Sequence, residues 1–273
     1  MPRFKLTIEY AGTRYSGWQI QKNARTIQGE IDRAVRIVTG RKDFELYGSG
    51  RTDAGVHALG QVAHLDVSTS LAPEALVGRL NDELPADINI LDAVQVPHRF
   101  HARHDAVARR YRYQIARRRT AADAAYVWWV KEPLDVSKMR DAARAFVGMR
   151  DFRSFAASGP RVEGEAPPST LVLVDDLEIV EDGNLLLVGI RGSHFLWKMV
   201  RRMVGVLVAI GRGELPPDAI RTMLAEGSAA PARLTAPAAG LFLEKVYYEG
   251  DLKTPSTGRP ATRTPSTRRT TSS

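Results

Sequence analysis

Two kinds of hydrophobic spacing take turns along this chain, and their order leaves few architectures open. Phe4, Leu6, Ile8 and Tyr10 alternate with Lys5, Thr7 and Glu9, the period of two that marks a strand with one buried face. Ile27, Ile31, Ala34, Val35 and Val38 then recur at helical spacing behind Thr26, suited to cap a helix start, and ahead of Gly40, suited to stop one. Extended runs at 45–47 and 61–67, a helix near 73–84 and a strand at 88–96 complete the order β-α-β-β-α-β.

The second half repeats that order. Tyr111, Tyr113 and Ile115 alternate with Arg110, Arg112 and Gln114, giving a strand with one apolar-aromatic face and one basic face. Met139, Ala142, Ala143 and Phe146 line one side of a helix over 136–147, followed by strands at 170–180 and 185–191. A helix over 194–210 and a shorter one after Pro216-Pro217 precede a last strand at 241–248. No residue-level similarity between the halves accompanies the repeated order. The pattern predicts an α+β fold of two ferredoxin-like or RNA-recognition-like halves, each an antiparallel sheet backed by helices, joined around a central cleft. The N-terminal half is placed at 1–105 and the C-terminal half at 106–250. Residues 251–273 hold 14 Ser, Thr or Pro in 23 and repeat Thr-Pro-Ser-Thr at 254–257 and 264–267. So few apolar side chains do not offset ordering entropy, and a disordered basic tail is expected.

With 273 residues the chain can bury a core without staples. Having no cysteine, it excludes disulfides, cysteine-ligated zinc and thiol nucleophiles. Its 39 Lys and Arg against 31 Asp and Glu give +8, which suggests a polyanionic partner and says nothing about fold. The excess sits in two places. The tail carries five basic residues against Asp251, and 99–119 carries eight arginines against Asp105, so the remainder is slightly acidic. There is neither a signal-like apolar run at the start nor a stretch near the roughly 20 apolar residues of a membrane span. A soluble cytoplasmic chain without a membrane partner is expected.

Gly48-Ser49-Gly50-Arg51-Thr52-Asp53-Ala54-Gly55-Val56-His57-Ala58 is the most unusual local sequence. Three glycines in eight residues exclude a regular helix and let the backbone approach a ligand closely. Without a Gly-Lys-Ser/Thr there is no phosphate-binding P-loop. Arg51 and Asp53 share a face if the loop is extended, suiting a paired acid and base; equally, Asp53 can cap backbone amides of a turn. His98, His101 and His104 recur every third residue, but their surroundings lack helical periodicity and no Asp or Glu cluster lies nearby, so no metal site is expected. On the 194–210 helix, Phe195, Leu196, Met199, Val200, Met203 and Leu207 form an apolar arc opposite Lys198, Arg201 and Arg202. Spacing leaves open a solvated basic face or a groove-lining helix on which Gly205, one turn beyond Arg201, permits close approach.

These residues together resemble the tRNA pseudouridine synthase A family. The run from Gly50 to Ala58 looks like its signature loop, and Tyr10-Ala11-Gly12-Thr13-Arg14-Tyr15-Ser16-Gly17-Trp18-Gln19-Ile20-Gln21 like its opening motif. Thr26-Ile27-Gln28-Gly29-Glu30, Asn81 with Leu84-Pro85-Ala86-Asp87-Ile88, Phe100-His101-Ala102-Arg103 and Arg110-Tyr111-Arg112-Tyr113 follow in family order. So do Phe195-Leu196 with Met199-Val200-Arg201, and Ala236-Pro237 with Gly240-Leu241. The likeness covers about residues 3–248. It departs at His104-Asp105, where the family more usually has an aromatic or hydrophobic residue and then Ser, and in the added tail.

The resemblance implies a pseudouridine synthase fold with an RNA-binding cleft, and isomerisation of uridine to pseudouridine at positions 38, 39 and 40 of the tRNA anticodon stem-loop. That reaction breaks N1–C1′, turns the uracil and joins C5 to C1′; it is redox-neutral, so no cofactor or metal is implied. Asp53 is implied as the catalytic carboxylate, Arg201 as its basic partner, and Tyr111 as the active-site aromatic, flat for stacking and bearing an ionisable hydroxyl. Arg51 would enter the helix beside the target base, extruded at a cost of a few kcal/mol. Arg103, Arg110 and Lys198 would hold phosphates without reading sequence, and Leu243 completes the substrate-binding set. A homodimer whose subunits share one tRNA is implied too. Two rivals remain, a duplicated RNA-binding module without catalysis and a metal-assisted hydrolase built on the histidines. An acid in a glycine loop, with Arg201 and Tyr111 available, speaks against the first.

Overall fold

The computed structural model of the chain describes residues 1–157 and 169–251. The tail read as disordered lies, from residue 252 on, outside the described residues. In chain order the elements are β1 (Arg3–Tyr10), α1 (Ile27–Thr39), β2 (Glu45–Gly48), β3 (His57–Asp66), α2 (Pro73–Glu83), β4 (Ile88–Val96), β5 (Ala108–Ala116) and β6 (Trp128–Trp129). They continue with α3 (Val136–Ala143), β7 (Gly148–Asp151), β8 (Leu171–Asp182), β9 (Leu185–Gly192), α4 (Met199–Gly211), α5 (Ala219–Glu226), α6 (Ala230–Arg233) and β10 (Leu241–Tyr247). α1 follows its local signals closely: the Thr26 hydroxyl accepts from the Gly29 N–H at 3.2 Å, and Gly40 ends the helix at φ 66°, a conformation costly for residues with a Cβ.

The sheets of the two halves fuse into one, ordered β4-β1-β3-β10-β5-β9-β8-β7. β10 makes the join, pairing antiparallel with β5 and, through Phe242 with His57 and Leu243 with Ala58, parallel with β3. Most other pairings are antiparallel, as the alternating patterns require. Register carries Tyr10, Ala58, Leu243, Tyr111 and Ile190 across one face. On that face α1 and α2 cover a core built on Phe4, Leu6, Ile8 and Ile31, while α3 and α4 cover a second built on Tyr113, Phe146, Val188 and Met203. Tyr111 packs against both cores, so the cleft between the helical layers opens over it. No helix among the described residues is long and apolar enough to cross a membrane.

Three expectations need correction. The helix placed at 194–210 begins at Met199, because Lys198 adopts φ 60°, ψ 5° and turns the chain before it. Residues 194–197 are thereby left non-helical and lie along the cleft. Nor is α4 a surface helix with a solvated basic face: Met199, Val200 and every residue from Met203 to Gly211 are buried. The groove-lining alternative is nearer, for a Cβ at Gly205 would lie 1.6 Å from the Leu234 carbonyl oxygen. Close approach is made, but to the chain's own backbone.

The basic face of β5 is the third. Arg110 and Arg112 point away from Tyr111, as alternation demands, yet both are buried in a carboxylate network. Arg110 Nε donates to Glu244 at 2.9 Å and its guanidinium pairs with Glu178, while Arg112 pairs with the other Glu244 oxygen. Burial opposes the Arg110 charge, but the two carboxylates outweigh it and raise its pKa above the ordinary value. These two arginines beside Tyr111 are therefore neutralised internally and do not line the cleft.

Candidate active site

The glycine loop between β2 and β3 is clamped by the segment that follows β1. Trp18 N–H donates to the Thr52 carbonyl at 3.1 Å, Gly55 N–H to that of Tyr15 at 3.3 Å, and Gly12 N–H to His57 Nδ1 at 3.1 Å. The Tyr10 and Thr52 hydroxyls share a hydrogen bond of 2.8 Å, and a Cβ on Gly12 would stand 1.9 Å from the Val56 carbonyl oxygen. From below, Gln61 bonds the Ser49 hydroxyl and the Gly50 carbonyl. The loop is thus held on two sides, and what it presents is Asp53.

Asp53 does not cap its own loop. Its carboxylate reaches across the cleft, where Oδ1 accepts from the Trp197 indole N–H at 2.9 Å and Oδ2 faces Arg201 Nη1 at 3.4 Å. Arg201 is itself held, donating from Nε to the Ala236 carbonyl at 2.7 Å while its own carbonyl accepts from Ala236 N–H at 3.0 Å. Tyr111 flanks the acid from the floor, its ring edge-on to Phe195 at 5.2 Å. Burial above all pushes the Tyr111 hydroxyl up to about 12, with the Arg109 charge opposing and the Asp53 charge adding to the rise, so it keeps its proton at neutral pH. Leu243 is buried beside it.

These groups line a cleft of about 910 Å³, large for a single base and open on one side. Exposed Arg51 and Arg103 and half-buried Lys198 also line it. Of the residues expected to bind substrate, all but Arg110 meet here; Arg110 lies on the far face of the sheet in its carboxylate network. An acid held between two donors beside a flat aromatic ring, with cations around it, can act on a nucleotide as nucleophile or base while phosphates are gripped outside.

Sequence reasoning missed the roles of two residues. Trp197 falls inside the helix expected over 194–210, although a tryptophan beside Lys198 and two residues before Met199-Val200-Arg201 is the available signal. Arg109, one of the arginines around Tyr111 expected to hold phosphates, instead donates from its guanidinium to the carbonyls of Ala106, Ser193, Ser49 and Arg103 at 2.9–3.2 Å and ties three cleft-forming segments together. The histidines serve local structure: His101 Nδ1 accepts from the N–H groups of Arg103 and His104, and His64 Nδ1 from Ala102 N–H.

Burial holds His57 and His64 at about 4, against an ordinary 6.5. The folded chain then binds fewer protons than the unfolded chain over that interval, so the stability these neutral rings contribute is complete above pH 6.5 and lost as pH falls toward 4. The melting temperature is expected to drop by about 5 °C between about pH 7.5 and about pH 5. An unchanged melting temperature would show that the rings protonate freely in the fold.

The sequence profile of a family described as tRNA pseudouridine synthase matches residues 6–105 and 142–249 of this chain. A curated relative, the tRNA pseudouridine synthase A of Nitrobacter hamburgensis, is 41% identical over 251 residues, 91% of this chain and 100% of its own length. That of Syntrophotalea carbinolica is 44% identical over 246 residues, 89% and 95% of the two chains. A solved structure of a Cbf5-Nop10-Gar1 complex aligns with a TM-score of 0.30 at 10% identity, over 75% of this chain and 45% of that one, a likeness too slight to inform the site.

Proposed function

Given that this chain belongs to the tRNA pseudouridine synthase family, and so isomerises uridine to pseudouridine in tRNA, we propose that its targets are positions 38, 39 and 40 of the anticodon stem-loop and that Asp53 is the catalytic carboxylate. The observation that carries the reading is Asp53 presented between Trp197 and Arg201 at a cleft flanked by cations. Arg201 supplies the counter-charge and Tyr111 the surface on which the uracil turns. Arg51 fills the space beside the extruded base, and Arg103 and Lys198 hold phosphates while Leu243 packs beneath. The enzyme works as a cytoplasmic homodimer, halves 1–105 and 106–250 of each subunit meeting at the cleft; the dimer rests on the family resemblance.

The chemistry supplies its own assay. As N1–C1′ breaks and C5–C1′ forms, the hydrogen at C5 leaves as a proton while N1 gains one, so the product is an isomer. A tRNA transcript labelled with tritium at uridine C5 is expected to release tritium to water, and to stop when the uridines at 38–40 are replaced by cytidine. Release that persists after that replacement would move the target elsewhere in the tRNA.

A further inference from the structure

Trp197 is at odds with ordinary tryptophan behaviour. Its side chain is 48% exposed, yet its indole N–H is committed to Asp53 Oδ1 at 2.9 Å. Of the four tryptophans it alone lines the cleft. A large, half-exposed ring on the wall of a site has apolar surface for a ligand to cover.

The backbone is arranged to hold the ring there. Lys198 has the one positive φ of any non-glycine among the described residues, 60°. A side chain in that region is strained, and such strain persists where surrounding contacts enforce it. Here the Trp197 carbonyl accepts from Ala157 N–H at 2.9 Å, Met199 N–H bonds the Leu196 carbonyl at 3.0 Å, and the Lys198 ammonium lies 4.9 Å from the Trp197 ring centre. In an unbroken helix Trp197 and Arg201, four residues apart, would stack along one face. The turn at Lys198 lets them take different oxygens of one carboxylate.

We propose that Trp197 is a positioning residue for the isomerisation: its indole N–H fixes the orientation of the Asp53 carboxylate, and its exposed ring face packs against the nucleotide in the cleft. This rests on Asp53 being the catalytic acid. A carboxylate with one oxygen held by a neutral donor and the other near Arg201 has lost rotation about its terminal bond, so it meets the ribose or uracil in one orientation. Arg201 alone, at 3.4 Å, does not fix it.

The test uses the full chain and unmodified tRNA. Trp197→Phe keeps an aromatic ring and removes the donor; kcat is expected to fall about tenfold or more, the worth of a hydrogen bond to a charged group, with KM within about twofold. Trp197→His returns a ring N–H, since imidazole Nε2 can occupy a ring position equivalent to indole Nε1, and is expected to regain at least threefold over Phe, roughly half of the lost barrier for a tenfold effect. Binding of tRNA should change the tryptophan emission of the wild-type chain, and that change should vanish in Trp197→Phe. Wild-type kcat in the Phe variant, no recovery in the His variant, or an emission change that survives without Trp197 would each overturn the proposal. Asp53→Asn run alongside separates the layers. If it is inactive while Trp197→Phe is unimpaired, only the positioning role fails; if it is active, the catalytic reading of Asp53 fails as well.

Discussion

Asp53→Asn is expected to reduce pseudouridine formation by on the order of 10³-fold or more while leaving tRNA affinity within a few-fold of wild type. Asparagine has nearly the same shape and keeps a carbonyl oxygen for the Trp197 indole, so the loop stays in place. What disappears is the negative charge, and with it any attack on C1′ or proton abstraction from the sugar, each of which needs an ionised carboxylate. The cations proposed to hold the RNA backbone, Arg51, Arg103 and Lys198, belong to other parts of the cleft lining, so binding measured by filter retention should persist. The clamp on the loop runs through backbone groups of Thr52, Gly55 and His57's ring rather than the Asp53 side chain, and the melting temperature should hold. Turnover above a tenth of wild type would remove Asp53 from the chemistry.

Gly205→Ala is expected to destabilise the fold by about 3 kcal/mol, near the top of the range for overpacking, and to lower the melting temperature by about 10 °C. An added methyl would sit 1.6 Å from the Leu234 carbonyl oxygen and 2.7 Å from its carbon. Both contacts are backbone, so no rotamer change relieves them and the 234–236 segment must move off α4. That segment supplies Ala236, whose carbonyl and N–H hold Arg201 from two sides. Activity should therefore fall even at temperatures where the variant remains folded. A variant with wild-type melting and wild-type turnover would mean that the close approach is not maintained in solution.

How far these contacts could be read in advance depends on their range. The strand at Phe4 to Tyr10 and the helix after Thr26 were legible because their signals are local: alternation within one strand, and a cap and a stop at the two ends of one helix. Alternation along β5 likewise placed Arg110 opposite Tyr111 correctly. It could not say that the far face is occupied, because β5 lies inside the sheet and the carboxylates that meet Arg110 come from Glu178 and Glu244, 68 and 134 residues away. The fusion of two sheets by β10 was hidden for the same reason: two parallel pairs at its join leave no periodicity to detect. The late start of α4 escaped because Lys198 has good helix propensity, and only tertiary contacts around Ala157 and Leu196 show why it turns. Asp53 and Arg201, 148 residues apart, could be paired only through the family resemblance; their separation of 3.4 Å is a property of the fold.

We propose that this chain makes pseudouridine at positions 38, 39 and 40 of tRNA by way of Asp53. Carbodiimide mapping of an unmodified tRNA carrying uridine at all three positions, after incubation with the wild-type chain or Asp53→Asn, tests it most directly. Stops at 38, 39 and 40 with the wild type and none with the variant are expected; stops at other positions, or equal stops from both proteins, would contradict it.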